Sequence, residues 1–274
     1  MSKQTDSAGS YAFGQFSENE SELERLKRQA RIAGELERRV LVQSGVQDGM
    51  DVLDLACGPG VVSSLLASMV PNGRVIGMDL SEALLQNARQ LAKEEKLGNL
   101  EFYQGDVYHP ELPHGSFDFI YARFLFQHLA DPLEALASIR PLLKPGGILC
   151  VADIDDDWLS LYPSPEAFRQ FTALAGEGQR GYGGDRNIGR KLASYLEQTG
   201  FESVKPRIET VNSSDIGLRS FLDITTGFKR EQLGEQYREQ GDELLTQIYK
   251  VLDTPQTWGY VAVFFVSGVM KVRP

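Results

Sequence analysis

From residue 50 onward, short apolar runs alternate with amphipathic ones, and no other feature narrows the possible folds so much. "MDVLDLAC" reads as a strand and "GVVSSLLASMV" as a helix; "GRVIGMDL" is a strand and "SEALLQNARQLAKEE" a helix. "LEFYQGDV" and "FDFIYAR" are strands, "DPLEALASIRPLL" a helix, and "GGILCVADID" a strand. Near-continuous apolar strands separated by helices require a parallel sheet covered on both faces. Right-handed crossovers then give a doubly wound α/β sandwich.

The end of the chain departs from this alternation. A helix in "NIGRKLASYLEQTG" stops at Gly200, and "FESVKPRIETV" follows as a strand whose Pro206 demands an edge or a bulge. Residues 213–256 read as two or three helices. The last strand, "GYVAVFFVSGVMKV", is apolar on both faces and so is expected inside the sheet. An internal final strand beside an edge strand means that the chain reverses at that end of the sheet. Ahead of the sandwich, residues 18–44 form one helix with Ser17 placed to cap it. Leu23, Leu26, Ala30, Ala33, Leu36 and Val40 fill one arc of this helix, and Glu22 and Gln29 fall inside the arc. Those two polar groups either make capping or core hydrogen bonds or face a ligand cavity.

Three acids mark successive strand ends. Asp54 lies in the first strand just before the turn Ala56–Cys57–Gly58–Pro59–Gly60, where glycine lets a ligand approach the backbone. Asp79 closes the second strand about twenty residues on, where a carboxylate can accept both hydroxyls of a ribose. The bland alternative for Asp79 is a helix cap, but Ser81 is available for that task. Asp106, next to Gly105, ends the third strand. A doubly wound sheet lines these acids along one rim, and three carboxylates suit a ligand with hydroxyls, an amine and positive charge better than a pyrophosphate.

In "DLACGPG" (54–60), "GMDLS" (77–81), "GDV" (105–107), "FDFIYARFLFQHLADP" (117–132) and "LLKPGGILCVADID" (142–155) the chain resembles the class I S-adenosylmethionine-dependent methyltransferases. The resemblance implies a seven-stranded sheet of order 3-2-1-4-5-7-6, strand 7 antiparallel, with helical lid segments. Residues 1–44 would be an N-terminal helical lid segment and 45–274 the methyltransferase domain, with a helical cap over the substrate at about 213–256. It implies S-adenosylmethionine as cofactor and S-adenosylhomocysteine as product. Carried over by position, Ala56, Cys57, Gly58 and Gly60 meet the methionyl part and ribose. Asp54 holds the amino group and Asp79 the ribose. Asp106 beside Gly105 accepts from the adenine amine, Leu80 and Val107 pack on the ring, and Ala122 and Arg123 border the methionyl end. Gln29 is the additional cofactor-facing candidate.

His128 is the best-placed general base of three histidines, or else a structural imidazole packed on the start of the next helix; His109 and His114 fall in a turn-rich loop. The stretch "DIDDDWLSLYP" is either an acidic loop capping the next helix or a substrate wall with a carboxylate, Asp155, and an aromatic face, Trp158. Tyr11, Phe13 and Phe228 are the other aromatics expected at the substrate. Catechol-type members of the family that the chain resembles hold a divalent metal with carboxylates after strands 4 and 5; here strand 4 ends in Ala122 and Arg123, so the resemblance implies no metal. The nucleophile, N, O or C of a small organic metabolite, is open. The competing classes are a NAD-dependent oxidoreductase, which Asp79 suits but the missing third glycine and internal last strand do not, and a non-methylating S-adenosylmethionine-binding protein.

Net charge of −10 with a pI near 4.9 disfavours a nucleic-acid substrate. The cluster Arg25, Lys27, Arg28, Arg31 is interleaved with glutamates and reads as a solvated helix face. Cys57 and Cys150 sit in apolar runs as small buried side chains. With no signal core and no apolar run long enough to span a bilayer, a cytoplasmic protein without a membrane partner is expected.

Overall fold

The computed structural model describes residues 19–233 and 235–271. Ser17, Tyr11 and Phe13 lie outside the described residues. Helix α1 (Asn19–Ser44) precedes the sandwich. Then come β1 (Asp51–Leu55), α2 (Val61–Met69), β2 (Arg74–Asp79), α3 (Glu82–Glu94), β3 (Leu100–Gln104) and β4 (Phe117–Arg123). The chain continues through α4 (Pro132–Ile139), β5 (Leu143–Tyr162), α5 (Glu166–Gly181), α6 (Leu192–Gln198) and β6 (Phe201–Asn212). Helices α7 (Ser213–Ile216), α8 (Leu218–Thr225) and α9 (Arg238–Tyr249) lead to β7 (Trp258–Met270).

The strands form one seven-stranded sheet in the order β3-β2-β1-β4-β5-β7-β6. β7 runs antiparallel to both neighbours, β5 and β6. β6 is therefore the edge that Pro206 requires, and its register shifts between Glu202 and Lys205. Alternation sorts the core. Val52 and Phe119 are paired and face α1 and α2, whereas Leu53 and Ile120, one step along, face α4 and α6. Gly200 ends the α6 segment at φ +81°, the left-handed stop read from the sequence.

The stretch after "GGILCVAD" is not a loop. β5 continues to Tyr162 and stays paired with β7, with a bulge between Ile154 and Leu159. Four residues, 155–158, bulge out, and beyond them the apolar Leu159 and Leu161 restore a strand pattern. The prolonged part packs against α5, α8 and α9 as a third core cluster that includes Leu159, Leu161, Phe171, Phe221 and Ile248. Among the described residues no helix is long and apolar enough to cross a membrane.

Candidate active site

The rim of the sheet is strained where it turns. Ala56 takes φ +54°, Gly58 φ +55° and Gly60 φ +80°. A non-glycine residue held at positive φ requires a surrounding structure that fixes it. Here the Cys57 amide donates to the carbonyl of Met78 at 3.0 Å, and the Gly58 amide donates to Asp79 Oδ2 at 2.8 Å. Asp79 Oδ1 accepts from the Ser81 amide at 2.8 Å, while the Ser81 hydroxyl caps α3 by accepting from Leu84. The carboxylate of Asp79 is thus fixed by two backbone donors and keeps lone pairs for two more.

These residues border a cavity of about 350 Å³. Asp54, Ala56, Cys57, Gly58, Asp79, Leu80, Gly105, Asp106, Val107 and Arg123 all contribute to its wall, as do Gln29, His128 and Phe228. Leu80 is 56% exposed although large and apolar, and lies beside Asp79. A side chain at Gly58 would meet nothing within 4 Å, so the turn opens onto free space. Two expected residues lie behind the wall instead. Ala122 is fully buried in the core on the α4 side, and Gly60 serves packing, since a Cβ there would come within 2.7 Å of Ala88 Cβ on α3.

A second, inner chamber of about 70 Å³ shares Gln29, Arg123, Phe124, Gln127 and Phe228 with the outer cavity. Its floor is built from cross-strand pairs of β5 and β7: Ala152 with Phe265, Ile154 with Val263, and Leu159 with Val261. One stripe of α1, comprising Gln29, Ile32, Ala33, Leu36 and Glu37, forms the facing wall. Phe124, at the junction, is another non-glycine residue at positive φ (+52°).

Charges around the junction are paired. Arg25 is not on a solvated face: it binds Glu22 and lies over the Phe228 ring at 4.5 Å from the centroid. Arg186 faces the same ring at 5.3 Å and grips Asp156 through Nε (3.0 Å) and Nη2 (2.9 Å). Its Nη1 donates to Gln127 Oε1 at 2.6 Å, and the buried Lys229 reaches Asp156 at 2.8 Å. Burial opposes ionisation of Asp156, yet Arg186 and Lys229 hold its carboxyl well below the usual range. Arg123 pairs with the buried Glu37, which also accepts from the Tyr121 hydroxyl at 3.0 Å.

Burial pushes Asp54 up to about 7, against the hydrogen bond from the Ser63 hydroxyl at 2.6 Å. His128 is pushed down to about 3 by burial and by Arg186 and Arg25, so its imidazole stays neutral and is a weak proton acceptor. The expected base therefore sits in the cavity wall but in surroundings that oppose its protonation.

Two substrate expectations are corrected. Asp155 is fully buried, is gripped by Arg190 and accepts from the Asp157 amide, and it lines neither chamber. Trp158 is half exposed and meets Phe264 in a T-shaped contact, and Phe264 alternates with Val263 and Phe265 and so faces away from the chamber floor. The bulge that carries both residues turns them off that face. Sequence reading also missed Arg25, Glu37, Phe124, Gln127 and Arg186. Glu37 was detectable, lying four residues after Ala33 and three before Val40 on the apolar arc; Arg186, in a glycine-rich loop, carried no periodic signal.

Comparison with known proteins agrees with this geometry. Residues 46–188 match a methyltransferase domain family. A 37.1 kDa protein in a transposon of Streptomyces fradiae is 39% identical over 155 residues, 56% of this chain and 44% of the relative. Demethylmenaquinone methyltransferase of Lactococcus lactis is 36% identical over 115 residues, 41% of this chain and 46% of the relative. The chain thus spans less than half the length of these relatives. The crystal structure of a SAM-dependent methyltransferase from Aquifex aeolicus superposes with a TM-score of 0.57 at 19% identity, covering 91% of this chain and 97% of that one. The chain belongs to the methyltransferase domain family, on the class I S-adenosylmethionine-dependent methyltransferase fold.

Proposed function

We propose that the chain moves the methyl group of S-adenosylmethionine to a small organic acceptor by in-line displacement. The observation that carries this reading is the single cavity joining Asp54, Asp79 and Asp106 to the open turn at Gly58. The residues fit the cofactor group by group. Asp79, preset by Gly58 and Ser81, offers acceptors to a ribose diol. Leu80 and Val107 offer apolar surface to the adenine, and Asp106, held by the Tyr108 amide at 2.9 Å, offers an acceptor to its amine. Asp54 gains a cationic partner in the methionyl amino group, which favours the ionised form that burial disfavours.

When bound, S-adenosylmethionine supplies a methyl group already activated on a sulfonium. The protein's part is alignment, and holding two reactants in place can contribute on the order of 7–11 kcal/mol. Arg25, Gln29 and Phe228 close the cavity from α1 and from the segment between β6 and β7, which supports reading α1 and residues 213–256 as a cover that excludes water. Arg186, Asp156 and Lys229 fasten the second of these segments to β5.

Calorimetry with S-adenosylmethionine, S-adenosylhomocysteine and NAD tests the reading. Binding of the first two and not the third is expected, followed by release of S-adenosylhomocysteine with members of a metabolite panel. Binding of NAD alone would favour the oxidoreductase. Tight binding without turnover across the panel would favour a non-methylating protein.

A further inference from the structure

The two chambers differ in chemistry. The outer one is rimmed by acids; the inner one is apolar apart from a few paired groups at its walls. One of these pairs is incomplete. Arg123 engages Glu37 through Nε and rests on the Phe124 ring at 4.3 Å, while its Nη1 and Nη2 make no hydrogen bond to a described residue. Glu37 Oε1 serves Arg123 and Tyr121; Oε2 is buried and has no hydrogen-bond partner among the described residues. A buried carboxylate oxygen without a donor is costly, and native structures rarely leave one unused. The other charged pair at the wall, Arg186 with Asp156, is completed by Gln127 and Lys229.

The Arg123–Glu37 pair therefore offers donors and an acceptor side by side, at the junction of the two chambers. A hydroxyl matches both, since it accepts from the guanidinium and donates to the carboxylate. An ammonium brings donors alone and meets the charge of Arg123. A carboxylate or phosphate brings acceptors alone and meets Glu37. The inner chamber has about half the ~150 Å³ of an apolar cavity that takes benzene, so a single ring placed there extends past the lining it shares with the outer cavity at Arg123, Phe124 and Phe228. Resting on the methyltransferase reading, we propose that the inner chamber is the acceptor subsite and takes an apolar-bodied alcohol or phenol. The hydroxyl lies between Arg123 and Glu37, and the apolar part lies on Ala33, Ile154, Val263 and Phe265. Because Arg123 lines both chambers, the hydroxyl sits at the boundary of the cofactor cavity. Burial also raises the pKa of Glu37, against the pull of Arg123 and Tyr121, which makes the carboxylate a better proton acceptor.

Calorimetry at pH 7 with the protein saturated in S-adenosylhomocysteine tests this with four probes: phenol, toluene, benzylammonium and benzoate. Phenol is expected to bind about tenfold more tightly than each of the others, the worth of one well-made buried hydrogen bond. Glu37→Gln should remove most of the advantage of phenol over toluene. Ala33→Phe on α1 and Ile224→Phe on α8, both of which line the inner chamber, should abolish phenol binding and leave S-adenosylhomocysteine affinity unchanged. The proposal is overturned if phenol fails to bind the loaded protein, if any other probe matches it, or if both filled variants still bind it. Absence of S-adenosylhomocysteine binding would overturn the methyltransferase reading itself, and this proposal with it.

Discussion

Replacing Arg186 by Met should destabilise the protein and release His128 at the same time. The side chain is 4% exposed and makes two hydrogen bonds to Asp156, one to Gln127 and a face contact with Phe228. Methionine fills much of the volume but leaves Asp156 buried with Lys229 as its remaining charged partner. Removing one member of a buried ion pair costs about 3–5 kcal/mol, because the other is left poorly compensated. With an unfolding entropy of ~2.1 cal/mol/K per residue, 274 residues give about 0.6 kcal/mol/K. The expected fall in Tm by scanning calorimetry is then about 5–9 °C. His128 supplies an independent reading, since Arg186 is one of the charges that depress its pKa. Its imidazole resonances should begin to titrate at higher pH in the variant than in the wild type. A Tm within about 2 °C of wild type, together with an unmoved His128, would refute the account of this cluster as the fastening between β5 and the covering segment.

Asp79→Ala should weaken S-adenosylhomocysteine binding while the protein still melts cooperatively; unchanged affinity by calorimetry would remove Asp79 from the site. Asp54 must be ionised to hold an ammonium, and with its pKa at about 7 it loses charge as pH falls. S-adenosylmethionine affinity should therefore drop about tenfold from pH 8 to pH 6, and Asp54→Asn should flatten that dependence; an equally steep profile in the variant would count against it. His128 in the wild type should show a neutral imidazole by nitrogen NMR at pH 5.5, and titration near the ordinary value of ~6.5 would mean that the wall around it is wetter than described. Gly105→Val should disturb the rim, since even a Cβ there comes within 2.7 Å of Met78 Sδ, and a normal Tm with normal cofactor affinity would contradict that packing.

The first two parallel strands are legible because each is a near-continuous apolar run that leads into an acid or a glycine turn, as in "VLDLACGPG" and "VIGMDLS". The position of β7 followed from its two apolar faces. β5 was read too short because Asp155, Asp156 and Asp157 resemble a loop in one dimension; pairing with β7 carries the strand past them through a bulge. The lining of the outer cavity comes largely from local turns, which motifs mark in one dimension. The inner chamber draws on α1, β4, β5, β7 and α8 at once, and spacing along the chain says nothing about which of their side chains meet. Arg25 shows the same limit: its charge is interleaved with glutamates as on a solvated face, whereas its guanidinium lies over Phe228, about two hundred residues away.

The paired floor of the inner chamber has a consequence for how such a protein can diversify. Each rung sets one β5 position opposite one β7 position in a ladder whose backbone hydrogen bonds do not depend on side-chain identity. Exchanging Ala152 and Phe265, or Ile154 and Val263, would reshape the compartment in discrete steps at fixed depth while the ladder itself stays intact. The shape of the compartment could then drift by single codon changes on two strands, with the turns after β1, β2 and β3 left untouched.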